Sequence, residues 1–181
     1  MHATAIRPRR RHRAGRVVGG ILAFVLIAAG IGIAGLSMFA PQTAERLYGE
    51  IRTQAVTVVD DVRAEVLKEY PTVTLGATGG RAELDRCDGT FTEVVSYQRD
   101  GVPPVWAAHN NCGGDTILAW QLGDQVKIEG DETVYEVVDV RTTSKTWSST
   151  DDLVGLGGDL ALQTCFYGED RMKFVGLSPV A

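Results

Sequence analysis

Between Val17 and Ala40 the chain carries 24 consecutive residues without a charge, VVGGILAFVLIAAGIGIAGLSMFA. At about 1.5 Å of rise per residue, a helix of that length crosses a hydrocarbon core of roughly 30 Å with some tilt. The run separates a short head from a long body, and the two differ in charge. The first 16 residues hold six arginines (Arg7, Arg9, Arg10, Arg11, Arg13, Arg16) and no acid, which leaves 12 basic against 23 acidic residues in the rest of the chain. Arginines on one flank and acids beyond the other orient such a span with its N-terminus in the cytoplasm and its C-terminus outside. A cleaved signal peptide is the other reading. Cleavable apolar regions run about 7–15 residues and end in a small-x-small site; here the run is longer, Met38 stands three residues before a cut after Ala40, and Pro41 would follow it. The expectation is an uncleaved, single-pass anchor in the cell membrane over residues 17–40, preceded by a basic cytoplasmic tail at 1–16. The acidic body excludes nucleic acid as a partner, which would require stripes of Lys and Arg.

Residues 41–70 read as a helical stalk. Leu47, Ile51, Ala55, Val58, Val62 and Val66 recur at spacings of four and three, one stripe of a helix. Asp60, Asp61, Arg63, Glu65 and Lys68 supply its polar surface, and Tyr70-Pro71 ends it, because the residue before a proline is pushed out of helical backbone. The stripe is expected to pack on the domain that follows; a dimerising coiled coil is the alternative, though the pattern is short for one.

Residues 71–181 read as mainly β. Short apolar or alternating runs at Glu93–Tyr97, Val105–Ala108, Thr116–Trp120, Gln125–Glu129, Thr133–Val140, Leu160–Thr164 and Met172–Leu177 are separated by Gly- and Asp-rich turns. That rhythm predicts a compact barrel or sandwich. Glu129-Gly130-Asp131-Glu132 reads as a hairpin turn. Gly155-Leu156-Gly157-Gly158 lacks the Lys-Ser/Thr of a phosphate loop and reads as a turn too.

The domain has three cysteines, Cys87, Cys112 and Cys165. Thiols outside the membrane tend to pair, and an odd number leaves one over. Cys87 and Cys112 lie in polar, turn-rich sequence where a bridge ties loops, so they are the disulfide candidates. Cys165 follows the apolar strand LALQT at a place where a strand gives way to a turn, which suits a rigidly held nucleophile. A zinc site from the three cysteines and His109 is disfavoured, since no CxxC pair is present. An inert buried thiol is the plain alternative for Cys165. His109 is the domain's single histidine and also ends a strand, so one imidazole and one unpaired thiol meet the minimum for thiol acyl transfer.

These elements resemble the sortase family. Trp106-Ala107-Ala108-His109, Leu122-Gly123-Asp124-Gln125-Val126-Lys127-Ile128, Leu162-Gln163-Thr164-Cys165 and Arg171-Met172-Lys173-Phe174-Val175-Gly176-Leu177 stand in the family's order and spacing from about residue 104 to 177. The resemblance implies a sortase-like β-barrel, N-terminally shortened, preceded by a single transmembrane helix and the stalk. It further implies a cysteine transpeptidase that cleaves a peptide sorting motif through a thioester and passes the acyl group to an amine or to water. Cys165 would be the nucleophile, His109 the proton shuttle, and Arg171 the donor to the oxyanion or to the substrate backbone. The implied partners are a secreted protein bearing the sorting motif and an acceptor amine of the cell wall or of a pilin-like protein, with no metal or organic cofactor.

The competing expectation is a non-catalytic extracytoplasmic binding module on the same fold. Arg141 is a second candidate cation. Trp147, in the segment from Thr142 to Asp159 ahead of the nucleophile strand, is a candidate groove wall or barrel cover. Asp131, Glu132, Asp151 and Asp152 read as solvated acids rather than a calcium site.

Overall fold

A computed structural model describes residues 24–27, 29–32, 34–67 and 69–180. The chain divides into two units, Met1–Ala44 and Glu45–Ala181. The described residues of the first are helical up to residue 39, and Phe24, Leu26, Ile31 and Phe39 expose most of their surface. The expected tail at 1–16 and residues 17–23, 28 and 33 of the expected anchor lie outside the described residues. Among those described, no helix is long and apolar enough to cross a membrane.

Helix α1 spans Pro41–Val62. Proline suits its first turn, where an amide has no helical partner to lose, and the helix unwinds through a π-helical turn at Arg63–Leu67 before Tyr70-Pro71. The face it turns to the domain is not the apolar stripe. Gly49 is buried and Thr53, Val56 and Asp60 are half-buried, whereas Ile51, Val58 and Val66 are 60%, 61% and 71% exposed. Close approach and polar pairing replace apolar area here. A Cβ at Gly49 would sit 2.5 Å from Cβ of Tyr167, and Arg52 reaches a buried carboxylate, Asp115.

The domain is a single eight-stranded sheet curled toward closure. Its strands are β1 (Thr72–Val73), β2 (Leu75–Gly79), β3 (Phe91–Val94), β4 (Val105–Ala107), β5 (Gln125–Ile128), β6 (Val134–Ser144), β7 (Leu160–Cys165) and β8 (Arg171–Pro179). In space they follow the order β1-β5-β6-β8-β7-β4-β3-β2. The two outermost strands are consecutive in sequence. Thr72 and Val73 pair in parallel with β5, and after the single residue Thr74 the chain pairs in parallel with β3. One short segment therefore joins both edges and makes the sheet a barrel.

Leu162, Val175, Leu177, Val126, Val137 and Phe91, from strands around the sheet, cluster with Ile117 of a 3-10 turn and fill the interior. Burial of each such side chain stabilises the fold by roughly 1.5–3 kcal/mol. A second cluster, Val105, Leu153, Leu156, Ala161 and Phe174, covers the opposite face of β4, β7 and β8. Arg141 pins its covering loop: one guanidinium nitrogen donates to the carbonyls of Asp152 and Val154, at 2.9 and 3.1 Å, and the other to Gly155.

The barrel expectation holds, with local differences. Thr116–Trp120 is not a strand: Gly114–Leu118 is a 3-10 helix launched from Gly113, whose φ of 94° reverses the backbone. Gly114 packs so tightly on Ala108 and His109 carbonyls that a Cβ there would lie 2.4 Å and 2.8 Å from them. The expected strand at Glu93–Tyr97 is shifted to β3 and yields to a 3-10 turn at Val95–Tyr97. β1 and β2, in TVTLGATGG, add two strands to the expected set. A one-turn helix, α2 (Arg81–Leu84), follows them.

Candidate active site

β4 and β7 run side by side in parallel, with Val105 opposite Ala161, Trp106 opposite Leu162 and Ala107 opposite Gln163. The Ala108 amide donates to the Gln163 carbonyl at 3.1 Å, and the Thr164 hydroxyl donates back to the Ala108 carbonyl at 3.0 Å. The two strands then run out together, one into His109 and the other at Cys165. Alternation decides which way the side chains go. Ala108 and Leu162 belong to the interior cluster, so Ala107, Gln163 and Cys165 take the outer face, with Met172 and Phe174 of β8 beside them.

Cys165 is the free cysteine and is half-buried. Met172 stands opposite it on β8, and Thr143 stands opposite Met172 on β6. The side-chain amide nitrogen of Gln163 lies 3.8 Å from its sulfur. Tyr97 packs edge-on against Phe174, ring centroids 5.8 Å apart. Burial first, and then the neighbouring Cys165, push the Tyr97 hydroxyl above its ordinary value. A cleft of about 380 Å³ runs along this face between Tyr97, Ser149, Leu153, Met172 and Phe174.

His109 keeps extended backbone, φ −63° and ψ 144°, and caps a 3-10 turn at Asn110–Cys112. Its ring nitrogen Nε2 lies 2.8 Å from the Asp85 carboxylate. That hydrogen bond is the main cause holding the Asp85 carboxyl below its ordinary range, with Arg81 adding to it. An ionised carboxylate accepts only, so Nε2 carries the proton and donates, and Nδ1 is the nitrogen left to exchange one. The disulfide between Cys87 and Cys112, Cα atoms 4.9 Å apart, ties the Asp85 segment to the His109 segment.

Arg171 opens β8, but its guanidinium is taken up elsewhere. It pairs with Glu169 at 2.5 Å and lies over the Phe166 ring, 4.4 Å from the centroid. The structure thus brings His109 and Cys165 to adjacent strand ends, while no hydrogen bond or ion pair links Cys165 to His109 or to Arg171 among the described residues.

The barrel is similar to that of sortases. A Clostridium perfringens sortase D5 transpeptidase matches at 16% identity and a TM-score of 0.38, over 57% of this chain and 69% of its own. Clostridium perfringens sortase C, solved with its C-terminal cell wall sorting motif, matches at 17% and 0.37, over 56% and 60%. Streptococcus agalactiae sortase C1 matches at 13% and 0.40, over 75% and 91%. No family model and no curated protein sequence matches the chain. Likeness at this level concerns the fold and carries nothing about chemistry.

A second polar cluster lies behind the site. Asp115, which is buried, receives Arg52 Nε at 2.8 Å and the Tyr167 hydroxyl at 3.2 Å; that hydroxyl also donates to the Asn110 carbonyl at 2.9 Å. Arg46 donates to the Gly168 carbonyl at 3.0 Å. Burial, followed by the charge of Asp115, drives the Tyr167 hydroxyl far above its ordinary value, and the hydrogen bond to Asp115 raises Arg52. α1 therefore holds both the segment after His109 and the turn after Cys165.

Sequence reasoning passed over Asp85, Gln163, Tyr97 and Asp115. For Asp85 a signal existed: it precedes Cys87 by two residues and His109 precedes Cys112 by three, so pairing those cysteines brings the two together. Asp131 accepts hydrogen bonds from the Thr133 amide and the Tyr135 hydroxyl, and Asp151 pairs with Arg99. Among the described residues, no three His, Cys, Asp or Glu side chains are grouped to hold a metal. Trp147 is 88% exposed and covers nothing.

Proposed function

We propose that this chain is a sortase-like cysteine transpeptidase, anchored in the cell membrane through residues 17–40 with its barrel on the outer side. The observation that carries the reading is one unbridged thiol, Cys165, at the end of a strand whose parallel neighbour ends in the domain's only imidazole. The thiolate of Cys165 attacks the carbonyl carbon of a peptide bond in a sorting motif. The tetrahedral adduct collapses to a thioester as His109 protonates the departing amine. An acceptor amine of the cell wall or of a pilin-like protein, or water, then attacks the thioester, gives its proton to His109 and frees the sulfur.

Asp85 supports the shuttle by holding Nε2, which fixes the ring and leaves Nδ1 as the exchanging atom. In this reading Arg171 engages the substrate backbone, which requires it to leave Glu169. The anchor is supported by the uncharged run, by the arginines ahead of it, and by the exposed apolar side chains on its described helical part.

Two measurements on the full chain test this. Intact-mass alkylation under native conditions is expected to label one thiol, mapping to Cys165. A library of sorting-signal peptides with amine acceptors is expected to be turned over by the wild type and not by Cys165→Ala. Labelling without any turnover would leave the non-catalytic binding module as the better description.

A further inference from the structure

Gln163 is 5% exposed, and its amide is a costly group to bury without a partner. The one hydrogen bond its side chain makes among the described residues is to the sulfur of Cys165, at 3.8 Å. It flanks the thiol along β7, on the same face, between Ala107 of β4 and Phe174 of β8. The position across β8 from Cys165, where a cation would reach a developing negative charge, holds Met172 instead. Arg171 is next in line and turns to Glu169 and Phe166.

We propose that the side-chain amide of Gln163 is the oxyanion donor of this site. The inference rests on the transpeptidase reading and deepens it. As the Cys165 sulfur bonds to the carbonyl carbon, the carbonyl π electrons move onto oxygen. That oxygen is held one atom from the sulfur, within reach of the N–H group that pointed at the sulfur beforehand. The amide is neutral and already desolvated, so it gains most when the charge appears, which is the requirement for lowering a barrier rather than tightening ground-state binding. When the thioester forms, the electrons return to the carbonyl and the amide is again opposite sulfur.

The test compares Gln163→Leu, Gln163→Glu and Arg171→Ala with wild type and Cys165→Ala, using the full chain and a peptide that the wild type turns over. Gln163→Leu is expected to lower kcat by about 10²–10³-fold with KM within about twofold. Its melting temperature should stay at or above the wild-type value, because the amide has no other hydrogen-bond partner among the described residues. Gln163→Glu should lose at least as much and lose more as pH rises, since an ionised carboxylate repels the oxyanion. Arg171→Ala should act mainly on KM. Retention of kcat within about threefold in Gln163→Leu, with Cys165→Ala inactive, overturns the assignment and leaves the transpeptidase reading intact. Equal turnover by wild type and Cys165→Ala ends both.

Discussion

The guanidinium of Arg52 lies 2.8 Å from the carboxylate of Asp115, a side chain only 5% exposed, and so joins α1 to the segment that carries His109. Without it, the carboxylate keeps one side-chain donor, the Tyr167 hydroxyl. Breaking a fully buried pair costs about 3–5 kcal/mol, but Arg52 itself is half-exposed, which screens the interaction. Arg52→Ala is therefore expected to lower the unfolding free energy by about 1–3 kcal/mol, with Arg52→Lys recovering part. Urea titrations check this; an unchanged midpoint would show that α1 does not dock through this pair.

Gly49→Ala distinguishes a docked helix from a free one by sign. On an exposed helix the exchange gains about 1 kcal/mol. Here the new methyl would meet Cβ and Cδ2 of Tyr167 at 2.5 and 2.8 Å, so a loss of about 1–3 kcal/mol is expected. In a Tyr167→Gly background, which removes the Cβ along with the ring, the clash is gone and the penalty should disappear. A higher melting temperature for Gly49→Ala alone would contradict the packing.

Reduction of the Cys87–Cys112 bridge should matter beyond stability. The bridge joins residues 25 apart in sequence, a loop for which chain entropy gives about 3.5 kcal/mol. It also sets Asp85 against His109. In a Cys165→Ser background, reductant is expected to lower the melting temperature and to speed amide exchange around residues 85 and 109 together. Exchange that stays slow at both places would separate the bridge from that contact.

Lys173 predicts a pH dependence. Its ammonium is buried under β8, where it donates to the carbonyls of Leu118 and Trp120. Burial pushes its pKa from 10.5 down to about 8. At pH 7 the folded and unfolded chains both hold the proton. Between about 8 and 10.5 the unfolded chain binds it more tightly, so this group makes stability rise with pH, by up to about 2 kcal/mol near pH 9.5. Comparison of urea midpoints at pH 7 and 9.5 should show the gain in wild type and lose it in Lys173→Met.

Periodicity and turn residues were enough to read the back half of the barrel, since β5 alternates, β7 and β8 are nearly continuous buried runs, and Gly- and Asp-rich turns separate the strands. The front half was harder. Leu75–Gly79 is a strand because it closes a barrel edge against β3, and such a long-range pairing leaves little local trace among glycines. The stripe of α1 misled for a related reason: hydrophobic spacing marks a face, but Gly49 and Arg52 choose the docking face through a close approach and a charge pair. At the candidate site, His109 and Cys165 stand out in the sequence because few residue types can do thiol chemistry. Arg171 was legible as a residue but not as a contact, because Glu169 and Phe166 decide where its guanidinium points. Gln163 is ordinary as a letter and becomes notable only beside the sulfur.

Thr74 is the single residue between the strand that pairs with β5 and the strand that pairs with β3. Closure at that seam depends on a two-residue strand shortly downstream of α1 and its π-helical turn. Arg46 and Arg52 tie α1 to the turn after Cys165 and to Asp115, so strain along the helix meets those contacts before it reaches Thr72 and Val73, and the ring loosens at this seam only after they give.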